Sequence, residues 1–204
     1  MIRNLLFDYG KVLYEIDIQR MLDQFAAMRD GAEVAYSMEG QHEVFSLLEI
    51  GEVDAPTFAA GLKEAYQLNG SQSEILDAWN SLLVGVIPGR LELIRRCKER
   101  YDVALLSNTN AFHHKAFWPE SEPLLREFSR CFFSFEMGMR KPDKEIYHAV
   151  LEEMNWKPGE TLFIDDSGIN IESAKEVGIQ TLRYESEADM EHFEKAFMST
   201  SIQP

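Results

Sequence analysis

Four short stretches carry the residues able to do chemistry. Asp8 closes the apolar run Leu5-Leu6-Phe7, Ser107 and Asn108 close Val103-Ala104-Leu105-Leu106, and Asp165 and Asp166 close Leu162-Phe163-Ile164. The fourth stretch, Arg140-Lys141-Pro142-Asp143, precedes a helical pattern. Three acids and one lysine suit a divalent cation and a phosphate. Carboxylates at strand ends bind Mg²⁺, a hard ion that takes oxygen ligands and usually keeps several waters. With anion repulsion lowered, one carboxylate can attack phosphorus and form an aspartyl-phosphate, splitting one hard step into two easier ones. Asp8 is the expected nucleophile. The transferring group spreads its charge over oxygens that call for hydroxyl, amide and ammonium donors, and Ser107, Asn108 and Lys141 are the candidates. Taken singly, each residue has an ordinary reading: a strand-end turn, a helix cap, a solvated lysine, an acid pair at a helix N-terminus.

The elements that must hold these residues are legible from pattern. The three apolar runs, each ending in a polar stop, predict buried parallel strands. Cys131–Phe135 and Ile179–Arg183 are weaker strand candidates. Helical periodicity covers Leu91–Arg100, Lys144–Met154 and Ile169–Val177. Strands alternating with helices predict an α/β fold, a Rossmann-like parallel-sheet core whose ligands bind beyond the carboxyl ends of the strands. Residues 16–86 break the alternation with helix candidates at Ile18–Met28, Tyr36–Leu48, Pro56–Tyr66 and Ser73–Leu83 and no convincing strand. They read as an inserted helical cap over a core made of residues 1–15 and 87–204.

Composition narrows the function. The 204 residues carry 35 Asp and Glu against 20 Lys and Arg, a net charge of −15. Such a surface repels a phosphate backbone, and no basic cluster exceeds Arg95-Arg96, so nucleic acid is excluded as a partner. There is no run of about 18 uncharged apolar residues, so no membrane-spanning helix is expected. The apolar segment at the start is interrupted at Asp8 and is too short for a signal-peptide core. Cys97 and Cys131 lack metal-ligand spacing and read as buried thiols in a reducing cytoplasm. Trp79, Trp118 and Trp156 read as packing residues, with Trp118 the first exception to consider. The methionines read as core. Adjacent His113 and His114 point in divergent directions and do not make a metal pair. His42 and Phe45 are weaker candidates to face a substrate from the cap. The sequence carries no mark of oligomeric state.

The motifs, in order, resemble those of the haloacid dehalogenase-like superfamily. The first is Leu5-Leu6-Phe7-Asp8-Tyr9-Gly10-Lys11-Val12-Leu13, the second Leu105-Leu106-Ser107-Asn108-Thr109-Asn110, the third Gly138-Met139-Arg140-Lys141-Pro142, and the fourth Phe163-Ile164-Asp165-Asp166-Ser167-Gly168-Ile169-Asn170. The helical insertion sits where the superfamily's first type of cap sits. The resemblance implies that Asp8 is nucleophile and Mg²⁺ ligand, that the Gly10 carbonyl and Asp166 are direct ligands, that Asp165 acts through water, and that Asn170 supports them. Ser107 and Lys141 would hold phosphoryl oxygens. The stretch Phe112–Pro123, the cap's Phe45 and Gly51-Glu52-Val53, and Gly10 are similar to the glucose-1-phosphate phosphatases of bacteria and, more distantly, to the phosphatase domains of soluble epoxide hydrolases.

One departure stands out. Phosphatases of the superfamily usually carry a second Asp two residues after the nucleophile to protonate the leaving group, and Gly10 stands there instead. An anomeric oxygen leaves more readily than an ordinary alkoxide, so a sugar 1-phosphate needs less protonation; Glu15, Asp17 or a water are other proton sources. The expected function is a cytoplasmic Mg²⁺-dependent phosphatase for a small phosphorylated metabolite, a sugar phosphate such as α-D-glucose 1-phosphate. The rivals are a 2-haloacid dehalogenase-type hydrolase, which works without metal, and a catalytically weak phosphate-binding regulatory module.

Overall fold

The computed structural model describes residues 1–29, 34 and 43–198. Strands β1 (Asn4–Phe7) and β2 (Tyr14–Ile16) lead into helices α1 (Ile18–Ala27), α2 (Glu43–Glu49), α3 (Ala55–Tyr66) and α4 (Gln72–Asn80). The chain then runs through β3 (Leu83–Val86), α5 (Arg90–Lys98), β4 (Asp102–Ser107), α6 (Ala111–Leu125), β5 (Arg130–Phe133) and α7 (Ser134–Met137). It ends with α8 (Lys144–Glu153), β6 (Thr161–Asp165), α9 (Gly168–Glu176), β7 (Gln180–Arg183) and α10 (Glu187–Phe193).

Five strands make one parallel sheet in the order β5-β4-β1-β6-β7. Because side chains alternate along a strand, each apolar run supplies two cores at once. Leu5, Phe7, Val103, Leu105, Leu162 and Ile164 enter one cluster, whereas Leu6, Ala104, Leu106 and Phe163 enter another. The catalytic candidates at the ends of β1, β4 and β6 therefore stand on three adjacent strands covered by side chains on both faces. Cys97 and Cys131 are free thiols, and burial pushes both up to about 12. Among the described residues no helix is long and apolar enough to cross a membrane.

Helices α1 to α4 form a third core of their own around Phe25, Phe45, Phe58, Leu62, Ile75 and Trp79. Their boundaries follow local chemistry: Asp17 caps α1, Asp54 caps α3, and Ser71 with Glu74 forms a capping box on α4. The segment is not wholly helical, however. α4 stops at Asn80, and Leu83–Val86, expected in part as helix tail, forms an antiparallel ribbon with Tyr14–Ile16. Its four residues, Leu83-Val84-Gly85-Val86, show no polar alternation and are short enough to be masked by the preceding helical periodicity. The ribbon carries the chain both into and out of the helical segment. Of the candidate helix Tyr36–Leu48, only its last part falls within the described residues, as α2.

Three further differences have local causes. The stretch 112–123 folds as most of α6 although Pro119 and Pro123 lie inside it, with Asn110 accepting from the Phe112 and His113 N–H groups at the start. The strand expected through Phe135 ends at Phe133, and the chain turns into α7. α10 was not foreshadowed; it starts at a Ser186 and Asp189 capping box and buries Met190 and Phe193. Trp79 and Trp156 are buried as expected, and Trp118 is partly exposed.

Candidate active site

The carboxyl ends of β1 and β6 put Asp8 and Asp165 side by side, and Lys141 enters between them from the loop after α7. Its Nζ lies 2.6 Å from Asp8 Oδ1 and 2.7 Å from Asp165 Oδ2, with the Leu106 carbonyl accepting at 3.0 Å. All three side chains are buried. Burial alone would push the lysine down, but Asp165 and Asp8 hold it above its ordinary value, so it stays an ammonium. Burial pushes the Asp8 carboxyl up to about 7; the lysine opposes this, while Asp165 and Asp166 add repulsion.

Asp165 is fully enclosed and its oxygens are heavily used. Asn170 Nδ2 lies 3.1 Å from both of them, and the Ser167 N–H donates to Oδ1 at 2.8 Å. Tyr147 fixes Asn170 in turn by donating to its carbonyl. Asp166 is less buried and faces Lys11 Nζ at 3.1 Å. Oxygens of Asp8, Asp165 and Asp166 all lie within 4.8 Å of one another. That donor set, hard, anionic and only partly neutralised by Lys141, fits a magnesium ion. The open side of the set is formed by Asp8 and Asp166, because Asp165 already accepts from lysine, amide and backbone.

Gly10 follows in the turn after β1, where Lys11 takes a left-handed φ of 61° and donates its N–H to the Tyr14 carbonyl. A Cβ on Gly10 would stand 2.8 Å from Ile16 Cδ1, so a side chain here requires Ile16 to move. Asp17, one proton source considered for the missing acid, has its carboxylate engaged at the N-terminus of α1. Glu15 is exposed on the ribbon.

On β4, Ser107 is buried and its hydroxyl makes only a 3.5 Å contact to the Asn108 carbonyl. The Asn108 carboxamide donates to the Lys141 carbonyl at 2.8 Å and accepts from the Lys141 N–H at 2.9 Å, so its side chain holds the lysine's backbone. His113 and His114 do not make a metal pair: His113 stacks on Trp79, and His114 sits among Phe117, Trp118, Phe133 and Phe135. Phe45 lies in the helical core, packed on Phe58 and Trp79, and His42 lies outside the described residues.

Sequence reasoning missed Arg140, Glu49 and Ser46. Arg140 Nη1 donates to Ser46 Oγ at 2.5 Å and Nη2 lies 3.0 Å from Glu49 Oε2, so the residue beside Lys141 is tied to α2. Burial pushes the Glu49 carboxyl up, against the pull of Arg140 and Lys141. Close by, Gly51 at φ 77° passes so near α7 that a Cβ would meet the Phe135 carbonyl oxygen at 2.6 Å. Arg140 stood in the third motif, but nothing in its spacing pointed to partners in α2.

Known proteins are similar to this chain along most of its length. The D-ribitol-5-phosphate phosphatase of Bacteroides thetaiotaomicron is 31% identical over 195 residues, covering 93% of this chain and 95% of that one. A wild-type HAD family enzyme from the same organism, solved in complex with magnesium and inorganic phosphate, superposes with a TM-score of 0.78 at 34% identity, covering 95% and 99% of the two chains. A predicted HAD-like family hydrolase from Porphyromonas gingivalis gives a TM-score of 0.83 at 26% identity, covering 98% and 100%. Residues 2–178 match the family of haloacid dehalogenase-like hydrolases, and the chain belongs to it.

Proposed function

We propose that this chain is a magnesium-dependent phosphatase that removes phosphate from a small polyhydroxylated metabolite through an aspartyl-phosphate on Asp8. The observation that carries the reading is the Asp8–Lys141–Asp165 constellation beside Asp166: a nucleophilic carboxylate, a buried cation and two more acids at one sheet edge. The 31% identity to a ribitol-5-phosphate phosphatase supports the substrate class.

Asp8, the Gly10 carbonyl and Asp166 would hold the ion directly and Asp165 through water; when bound, magnesium supplies positive charge that offsets repulsion between carboxylate and phosphate. The chain's own groups do the rest. One Asp8 oxygen bonds to phosphorus as the P–O bond to the alcohol breaks, and the alkoxide takes a proton from water. Water then attacks phosphorus of the acyl phosphate, returning the Asp8 carboxylate and inorganic phosphate. Lys141 and Ser107 hold phosphoryl oxygens throughout. Gly10 brings no acid to the leaving group, which favours esters whose alcohol leaves easily, above all sugar 1-phosphates such as α-D-glucose 1-phosphate. Residues 16–86 act as the cap that closes over this edge and excludes water during the first step. A cytoplasmic enzyme is in keeping with its free thiols.

The test is phosphate release from sugar 1-phosphates, ribitol 5-phosphate, hexose 6-phosphates and nucleotides, with Mg²⁺ or with EDTA, and with Asp8→Asn as control. Mg²⁺-dependent release abolished in the control is the expected result. No release from any ester overturns the reading, and halide release from 2-haloacids would replace it by dehalogenation. Sugar 1-phosphates in the lead support the leaving-group rationale for Gly10; ribitol 5-phosphate in the lead discards it and leaves the phosphatase standing.

A further inference from the structure

Among the described residues, seven buried side-chain nitrogen or oxygen atoms have no hydrogen-bond partner. Six of them belong to Glu49, Trp79 and Asn80 of the helical segment and to His113, His114 and Arg140 of the sheet domain. Glu49 and Arg140 face each other as an ion pair, so their charges are matched. Trp79 and His113 have no such compensation. Both are more than nine-tenths buried, at 6% and 9% exposure, and their rings stack with centroids 5.0 Å apart and planes 12° from parallel. A buried donor or acceptor left unsatisfied is costly, and one on each side of a stack joining two halves of the protein needs a partner.

The chemistry of that partner can be read. The indole Nε1 is only a donor. The imidazole is held neutral by its burial, and its other nitrogen engages the Trp79 backbone, which leaves Nε2 as an acceptor. One donor beside one acceptor suits a hydroxyl, which both accepts and donates. A carboxylate would be repelled by Nε2, and an ammonium by the indole N–H. His113 is on the first turn of α6, capped by Asn110 just after Ser107 and Asn108, while Trp79 is on the last turn of α4. We propose that Trp79 and His113 are specificity residues that bind a hydroxyl group on the alcohol half of the ester, Nε1–H donating to its oxygen and Nε2 accepting its hydrogen. The proposal rests on the phosphatase reading above.

Trp79→Phe and His113→Phe each remove one nitrogen while keeping an aromatic ring in the stack. KM and kcat are measured with the better of ribitol 5-phosphate and glucose 1-phosphate, and with p-nitrophenyl phosphate, whose alcohol half has no hydroxyl. Either variant should raise KM for the hydroxylated ester about tenfold, the loss of one hydrogen bond. Its kcat, and both constants for p-nitrophenyl phosphate, should stay within about twofold. Thermal unfolding shows which variants are folded, and having one substitution on each side of the stack guards against a misfolded one. Unchanged KM for both esters means that ordered water occupies the pair and overturns the proposal; equal change for both esters means that the stack is only structural and also overturns it. A wild-type protein that hydrolyses neither ester overturns the proposal, a result distinct from the other two, and the phosphatase reading falls as well only if hexose 6-phosphates and nucleotides are also left intact.

Discussion

Asn108 holds Lys141 by its main chain, donating to its carbonyl at 2.8 Å and accepting from its N–H at 2.9 Å. This two-point grip fixes where a residue 33 positions along the chain enters the space between Asp8 and Asp165. Asn108→Ala removes both bonds and lets the lysine drift, and a displacement of about 1 Å at a reacting centre costs on the order of 10²-fold in rate. Asn108→Asp should be worse, because it keeps one bond but turns an oxygen toward the Lys141 carbonyl and adds negative charge near the phosphate. Steady-state kcat for the two variants, with folding checked by circular dichroism, tests the order.

Lys141 also carries stability. It lies between two buried carboxylates, so Lys141→Met leaves both without their cation, a loss of about 3–5 kcal/mol for a broken buried pair. Adding Asp165→Asn removes one of the stranded charges and should recover part of that loss. Urea unfolding in EDTA of the single and double variants measures it; a double variant less stable than the single one contradicts the account.

Gly51 sets the approach of α2 to the lysine loop. Its φ of 77° is left-handed, and a Cβ would overlap the Phe135 carbonyl oxygen at 2.6 Å. Gly51→Ala should therefore cost about 1–3 kcal/mol in unfolding free energy. It should also lower kcat by moving Ser46 and Glu49 away from Arg140. Retained stability with full activity would show that the turn gives way without disturbing the clasp.

The catalytic edge was legible in the sequence because each strand there is buried on both faces. An unbroken apolar run that stops at Asp8, Ser107 or Asp165 matches a buried parallel strand and little else of that length. The same logic fails where partners are main-chain atoms or distant. Ser107-Asn108 announces an amide at the edge but not that it grips Lys141, since a backbone carries no sequence signal. Arg140 and Ser46 lie 94 residues apart, and no periodicity joins them. β3 was hidden because four apolar or glycine residues after a strong helix look like its continuation. α6 was obscured by Pro119 and Pro123, which the helix tolerates but which weigh against it when only local propensity is read.

His113 makes acid stability testable. Its folded value is about 4 against an ordinary 6.5, because burial disfavours the imidazolium more than its bond to the Trp79 backbone favours it. Above about pH 6.5 the ring is neutral in folded and unfolded chains alike, and it gives no pH dependence. As the pH falls below that, the unfolded chain binds a proton that the folded one refuses, so stability drops until the folded ring titrates near pH 4. The shift corresponds to about 3 kcal/mol at most across this window. Carboxylates elsewhere titrate toward the lower end, so the comparison is between proteins: wild type and His113→Phe, unfolded in urea at pH 7.5, 6.5, 5.5 and 4.5. The gap between the two curves should move in favour of the variant as the pH falls, because the variant has no ring to protonate when it unfolds. A gap independent of pH would mean that the imidazole is protonated as readily inside the stack as outside it.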